Sequence, residues 1–403
     1  MTTSLISVQD ADVFLAAFGE VFPEETIPLT EATGRILRQP VRADREYPAQ
    51  DRSRMDGIAI SFAAWEMGVR DFRVEGMARA GEPRRRLDDA AACVEIMTGA
   101  PCPEGADTVI PYEALKTREF GETGVASVAS DADATVAQGQ FLHRQGSDCG
   151  RDEILVAAGE RLNAVRVAAA ASMGYSRVAV TRRPRIEIVT TGDELIAIEE
   201  IPQPHQVRAS NGHALRALFE GMGEVDLHGV GDARGALAAR LEASLAPLAK
   251  GDVLLVTGGV SAGKFDEVPG VLRDLGVERV FHKVAQKPGK PLWFGTDTRG
   301  RLVFGLPGNP VSALVCARRY VVPLLRAKSG EAPDPAPRLR LSGPLPTPSR
   351  LTQFVPVRRV ESAAVPCIMN GSGDFSGLRR SDGFVEIPPM PAGELLSFFG
   401  WES

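Results

Sequence analysis

The chain has 403 residues, 44% of them hydrophobic and 24% charged, a composition that builds packed domains and excludes a largely disordered protein. Forty-six Lys and Arg stand against 52 Asp and Glu, a net charge of −6 at pH 7. That balance argues against a dedicated nucleic-acid binder and leaves room for a local cationic pocket.

At about 100–200 residues per domain the length predicts two to four domains. The N-terminal stretch MTTSLISVQDADVFLAAFGEVF lacks a basic leader and carries acids within its apolar pattern. It predicts an amphipathic helix capped near Asp10, not a signal peptide. Residues 1–44 read as helical and then extended. From 45 to 140 short β-branched runs are broken by Gly and Pro, as in RAGEP, TGAPCPEGAD and FGETG, an all-β pattern. Helix returns over 141–182, where the Ala-rich run Glu160–Gly174 ends on a plausible C-cap glycine.

Residues 183–330 alternate strand and helix. RIEIVTTG, EVDLHGVGD, DVLLVTGG, ERVFHKVAQ and RLVFGLPGNP read as strands. SNGHALRALFEGMG, capped by Ser210 or Asn211, reads as a helix, as do ARGALAARLEASLAPLAKG and VPGVLRDLG. So does PVSALVCARRYVVPLL, with Asn309 as N-cap and Pro310 at its first position. Such alternation predicts a mostly parallel α/β sheet, with ligands at the carboxyl ends of its strands. Six prolines between 331 and 350 mark a linker, and the strand-like remainder predicts a small β domain. No 18-residue uncharged apolar stretch occurs, so no membrane span is expected. Five scattered Cys and five scattered His lack metal-site spacing, and the thiols suit a reducing cytoplasm.

Four Gly-rich loops follow strands of the α/β segment. Thr190–Glu194 offers two carboxylates at a sheet edge, although Asp193 could equally cap a helix. Thr257–Asp266 comes close to a phosphate-cradling P-loop, with Gly258, four residues, then Gly263 and Lys264. Phe265 stands where a hydroxyl should reach Mg2+, which disfavours a nucleotide-hydrolysing loop. A backbone nest for phosphate remains, with Gly258, Gly259 and Ser261 in it, and Asp266 is a candidate ligand for a divalent cation. Lys283–Pro291 holds three of the seven lysines, Lys283, Lys287 and Lys290, in a loop braced by two prolines and a glycine. An anion-binding loop is the better reading over a solvated face. Gly305–Pro310 opens a helix, where an oxyanion could sit on the free N–H groups, or Pro and Gly could simply make a rigid turn. In the β segment, Arg52–Gly57 and Ile96–Pro101 are polar, turn-like loops. No GxSxG motif or Cys–His pair suggests a covalent nucleophile. Amides, lysines and carboxylates together point to metal-assisted transfer on a phosphate-bearing polyanion.

The motifs MDGIAI, IMTGAPCPEGAD, VTTGDEL, TGGVSAGKFD, KVAQKPGKP and GLPGNPVSA occur in this order. The chain thereby resembles, over nearly its whole length, the MoeA family of molybdopterin molybdenumtransferases, to which the E domains of gephyrin and plant Cnx1 are related. The resemblance implies four parts: an elongated helical domain from 1–44 and 141–182, an inserted β domain over 45–140, an α/β molybdopterin-binding domain over 183–330 and a C-terminal β-barrel over 331–403. It implies a cytoplasmic homodimer that inserts molybdate into adenylated molybdopterin and releases AMP with Mg2+, and a molybdopterin adenylyltransferase as a partner. Carried over by motif, Asp56, Thr98, Asp148, Glu194, Asp232 and Asp266 resemble the functional polar residues. Glu194, Asp232 and Asp266 are assigned to the cation, and Lys283, Lys287 and Lys290 to phosphate or molybdate. Pro307 and Pro310 shape the adjoining loop, and Arg350 and Ser372 resemble the molybdate-binding pair. Arg54, Ile58, the Gly263-Lys264-Phe265 segment and Asn211-Gly212-His213 depart from the family pattern. A non-catalytic scaffold is the alternative, but it should have lost acidic residues or gained long linkers, and neither is seen.

Overall fold

The structure, a computed structural model, describes residues 5–117, 120, 124–130, 136–260, 266–332, 335–343, 347, 349–390 and 394–402. The chain gathers into two compact units. One comprises 1–39, 159–163 and 177–403, and the other 40–158 and 164–176. Among the described residues no helix is long and apolar enough to cross a membrane.

The larger unit is built on a six-stranded sheet. Its order is Glu224–Val230, Arg185–Thr191, Val253–Thr257, Leu302–Leu306, Trp293–Thr296 and Glu278–His282. The first four strands are parallel, Trp293–Thr296 runs against them, and Glu278–His282, antiparallel to Trp293–Thr296, resumes their direction. Val253–Thr257 and Leu302–Leu306 are buried at every residue, as central strands covered on both faces must be. One face packs Ile186, Ile188 and Phe304 against helices Val8–Ala16, Ser210–Phe219 and Pro310–Cys316. The other packs Val189, Leu254 and Val256 against Arg234–Leu245 and Val268–Asp274.

Connectivity locates the crevice. From Arg185–Thr191 the chain crosses by Ser210–Phe219 to Glu224–Val230 on one side. It then returns by Arg234–Leu245 to Val253–Thr257 on the other side. The strand order therefore reverses between Arg185–Thr191 and Val253–Thr257, and beyond their carboxyl ends such sheets leave an open crevice.

Several sequence expectations shift in detail. The first helix is capped by Ser7, whose hydroxyl accepts from Asp10 N at 3.0 Å, while Asp10 Oδ2 accepts from Ser7 N at 3.0 Å. Asp10 is thus the third-position partner of a capping box, not the cap. Among the described residues of 1–44 and 141–182, helix is limited to Val8–Ala16 and Ala164–Ser172, plus one short 3-10 turn. The strand expected over ERVFHKVAQ stops at His282, because Lys283 turns into the left-handed region at φ 71°. The strand Trp293–Thr296 was not anticipated. The long helix from Pro310 is interrupted by a π turn over Ala317–Val321 before Val322–Ser329. Pro323 accounts for it: it donates no N–H and crowds the carbonyl of Arg319.

Strands Arg338–Leu341, Thr352–Val360, Ala363–Pro366, Gly383–Ile387 and Leu395–Gly400 close into a barrel, because Thr352–Val360 pairs with both Ala363–Pro366 and Gly383–Ile387. Leu339, Val357, Val385 and Phe398 fill it. The second unit holds the expected β segment as a five-stranded sheet, in the order Thr108–Pro111, Gly57–Ile60, Cys93–Ile96, Asp71–Ala78 and Val125–Ser127.

Candidate functional site

A cavity of about 1010 Å3 opens where the strand order reverses. Thr190, Thr191 and Thr257 from the strand ends, Gly258 and Gly259, and the Pro307–Pro310 turn line it. Of the sequence-predicted residues, Glu194, Asp232, Asp266, Gly258, Gly259, Pro307 and Pro310 all meet here. Three carboxylates, glycine backbone and a helix entrance thus share one cleft. Ser261, with Lys264 and Phe265, lies outside the described residues.

The acidic wall is cross-braced. Asp232 Oδ1 accepts from Thr191 Oγ1 at 2.7 Å, and its Oδ2 from Asp193 N at 3.3 Å. Asp193 Oδ1 in turn accepts from Asp232 N at 2.9 Å. Asp193 therefore caps no helix; it ties the loop after one strand to the loop after its neighbour. Asp232 keeps acceptor capacity, since a carboxylate has about four lone-pair sites. Among the described residues no three His, Cys, Asp or Glu side chains form a ready-made metal cage.

The glycine loop is fixed by a close approach. Gly258 sits at φ 104°, and a Cβ there would stand 2.3 Å from Thr191 O. Its N–H already donates to Leu306 O at 3.2 Å, so an anion nest would have to use the amides that follow.

The Pro307–Pro310 turn is gripped from two sides. Asn211, expected as a cap, has Ala209 in the capping position behind it. Its Nδ2 instead donates to Gly308 O at 2.7 Å and to Thr257 Oγ1 at 3.3 Å. Thr257 Oγ1 donates to Pro307 O at 3.1 Å. From the other side Ser372 O accepts from Val311 N at 3.1 Å, and Ser372 Oγ from Asn309 Nδ2 at 2.9 Å. Pro310 has no N–H and Val311 N–H is taken, so this helix entrance seats the Ser372 loop more than it offers free donors. That loop brings Gly373 and the exposed Phe375 to the cleft.

The lysine loop is anchored from below. Gln286 is fully buried; its Nε2 donates to Gly289 O at 3.1 Å and its Oε1 accepts from Tyr320 OH. Lys287 and Lys290 are exposed, Lys283 is half-buried, and only Pro291 of this loop lines the cavity. Gln286–Lys287 pairs in parallel with Thr352–Gln353, which sets the exposed Arg350 two residues from that contact.

The other predicted residues fall in the second unit. Asp56 Oδ1 accepts from Thr98 N at 2.6 Å and Thr98 Oγ1 at 2.7 Å. These two bonds hold its carboxyl below the usual range, so at neutral pH it is an ionised acceptor. Gly57 is needed beside it, since a Cβ would stand 2.0 Å from Ile110 O. Asp148 Oδ1 lies 2.7 Å from His143 Nε2. The three loops are joined through the backbone: Gly99 N donates to Ser53 O at 2.8 Å and Arg54 N to Phe141 O at 2.8 Å.

Sequence reasoning included Thr191 and Thr257 only as members of their loops, without a role of their own, and missed Phe375 as a cleft residue. It noted Asn211 only as a possible cap and a departure from the family pattern. Thr191 and Thr257 end buried strands, and a hydroxyl at that place was the available signal; for Phe375, on a four-residue helix of the barrel, there was none.

Known proteins match this arrangement along nearly all of its length. The family model described as "MoeA N-terminal region (domain I and II)" matches residues 6–174, and the "Probable molybdopterin binding domain" matches 187–327. The molybdopterin molybdenumtransferase of Synechocystis is 35% identical, over 98% of this chain and 100% of that protein. That of Bacillus subtilis is 29% identical over 95% and 90%. The solved molybdopterin biosynthesis moea protein of Pyrococcus horikosii superposes with a TM-score of 0.81 at 28% identity, over 99% of this chain and 100% of that one.

Proposed function

The chain belongs to the MoeA family of molybdopterin molybdenumtransferases, enzymes of molybdenum cofactor biosynthesis, and we propose that it inserts molybdate into adenylated molybdopterin with release of AMP, in a Mg2+-dependent reaction. The observation that carries this reading is the joint lining of one cleft by Glu194, Asp232 and Asp266 and by the Gly258–Gly259 and Pro307–Pro310 turns. A phosphate-linked substrate meets backbone and carboxylates there at once.

Mg2+ fits this donor set. It keeps most of its water and takes one or two carboxylates together with substrate phosphate, so no all-protein cage is needed. Glu194, Asp232 and Asp266 would hold it, and bound there it would neutralise charge on the anhydride. The carboxylates orient the attacking water, while Lys283, Lys287, Lys290, Arg350 and Ser372 attract the phosphate and molybdate dianions. Asp56, Thr98 and Asp148 form a second polar group for the same reaction. The working form is a cytoplasmic homodimer, fed by a molybdopterin adenylyltransferase.

The test is AMP release from adenylated molybdopterin plus molybdate, followed by chromatography. Asp266→Asn is expected to lower the rate at least about a hundredfold, the scale on which a positioned charge acts, with an unchanged melting curve. Chelation of divalent ions should stop release and added Mg2+ restore it. Release at the wild-type rate in the variant would sink the assignment. A monomeric mass by light scattering would sink the dimer.

A further inference from the structure

The cleft beyond the strand ends has two unlike lips. The acidic lip belongs to the sheet face covered by Arg234–Leu245 and Val268–Asp274, since Asp232 and Asp266 each stand two residues before one of these helices. The other lip belongs to the opposite face. There Val207 stands three residues before Ser210–Phe219, and Phe375 opens a short helix whose Leu378 shares a core with Val311 of Pro310–Cys316. Ile198, Val207 and Phe375 all line the cleft. All three are exposed, at 42%, 53% and 66%.

Single exposed apolar side chains are ordinary on a protein surface. These three come from two segments far apart in sequence, and one turn gathers them. Asn211, four residues after Val207, holds Gly308 O, while Ser372, three residues before Phe375, accepts from Asn309 Nδ2. Leu195–Ile196 pairs in parallel with Val207–Arg208, which ties down the segment carrying Ile198. The base of Phe375 is held as firmly. Asp374 accepts from Asn370 N and Gly377 N, both at 2.9 Å, and from Ser376 Oγ at 3.0 Å. Elsewhere in the barrel Phe384 packs on Phe354, Phe399 and Trp401, whereas Phe375 has no ring contact among the described residues. A ring fixed at its base, bare on its face and set at the mouth of a cleft is a preorganised platform. Its chemistry selects a flat partner with a π face.

We propose that this apolar lip is the ring subsite of the cleft, in which Phe375 stacks on a nitrogen heterocycle of the substrate and Ile198 and Val207 cover the remaining apolar surface. The phosphates then lie toward the acidic lip. The assignment rests on the reaction proposed above, whose substrate offers two such rings, adenine and pterin. A ring contact away from the bond that breaks is made equally in the ground state and the transition state, so Phe375 sets KM and leaves kcat alone.

Steady-state AMP release by the full-length protein tests this. Phe375→Ala is expected to raise KM about tenfold, the scale of one stacked base, with kcat within about twofold of wild type. Phe375→Trp should keep a wild-type KM, and Phe375→Leu, apolar but without a π face, should resemble Phe375→Ala. Phe375 is exposed, so these replacements leave the fold intact, which melting curves check. A second measurement needs no turnover: the indole emission of Phe375→Trp, relative to wild type, is titrated with AMP and with neopterin. Quenching by AMP places adenine on the ring, and quenching by neopterin places the pterin there. A wild-type protein that releases no AMP would overturn the reaction and leave the emission titration to decide the subsite. No quenching by either compound, an unchanged KM in folded Phe375→Ala, or full rescue by Phe375→Leu overturns the stacking role.

Discussion

His282 ends its strand beneath the glycine loop, its Nε2 3.1 Å from Val260 O. A carbonyl only accepts, so the neutral ring carries its proton on Nε2 and donates it. Desolvation, opposed by that bond, pulls the imidazole below its ordinary value of 6.5. The unfolded chain then binds more protons between the folded value and about 6.5, so stability rises with pH across that window. Acidification should remove this contribution as pH falls below about 6.5, and the loss is complete once the folded value is passed. Urea unfolding at about pH 7.5 and about pH 5 would measure it, with His282→Gln expected to show the smaller drop between the two. An equal drop in both proteins would show that other groups set the acid sensitivity. The sequence listed His282 among five scattered histidines. Only the fold, which carries Val260 over it, gives the ring a role.

At the scale of elements, what could be read in advance was what local chemistry dictates. Buried β-branched runs gave the parallel strands, Pro310 marked a helix start, and Gly258 marked the loop that follows a buried strand. Partners distant in sequence were not legible. Ser210 and Asn211 both looked like caps because Ser and Asn favour that position. The side chain of Asn211 has better partners across 46 and 97 residues of chain, in Thr257 and Gly308. It makes the helix Ser210–Phe219 a strut between two loops of the cleft. Asn211→Ala should cost about 1 kcal/mol of stability, the net scale of one intramolecular hydrogen bond. It should slow AMP release about tenfold, because the Pro307–Pro310 turn loses a restraint. A stability loss of that size with full activity would limit Asn211 to a structural role.

Across the larger unit, the order of motifs announced an α/β sheet followed by a β domain, but not what joins them. Arg319 does so from the π turn that Pro323 imposes. Its Nε donates to Glu386 Oε2 at 2.7 Å, and Nη1 and Nη2 to Asp12 at 2.7 and 2.9 Å. Glu386 lies on a barrel strand and Asp12 on the first helix. The guanidinium also packs 5.3 Å from the Phe399 ring. One side chain therefore fastens the N-terminal helix, the last α/β helix and the barrel, whose Ser372 loop seats on the cleft. No local signal in ARRY foretells this, since an Arg in a helical run usually reads as solvated surface. Arg319 is only 11% exposed and Glu386 15%, so removing the cation strands a carboxylate in a largely dry site. Arg319→Ala should then destabilise the unit by about 3 kcal/mol. Arg319→Lys should fall between, because an ammonium cannot serve both carboxylates with a planar fork. A double-mutant cycle with Glu386→Ala distinguishes this from loss of packing: the double variant should be less destabilised than the sum of the two single variants. Simple additivity would mean that the alkyl stem of Arg319, not its charge, holds the barrel in place.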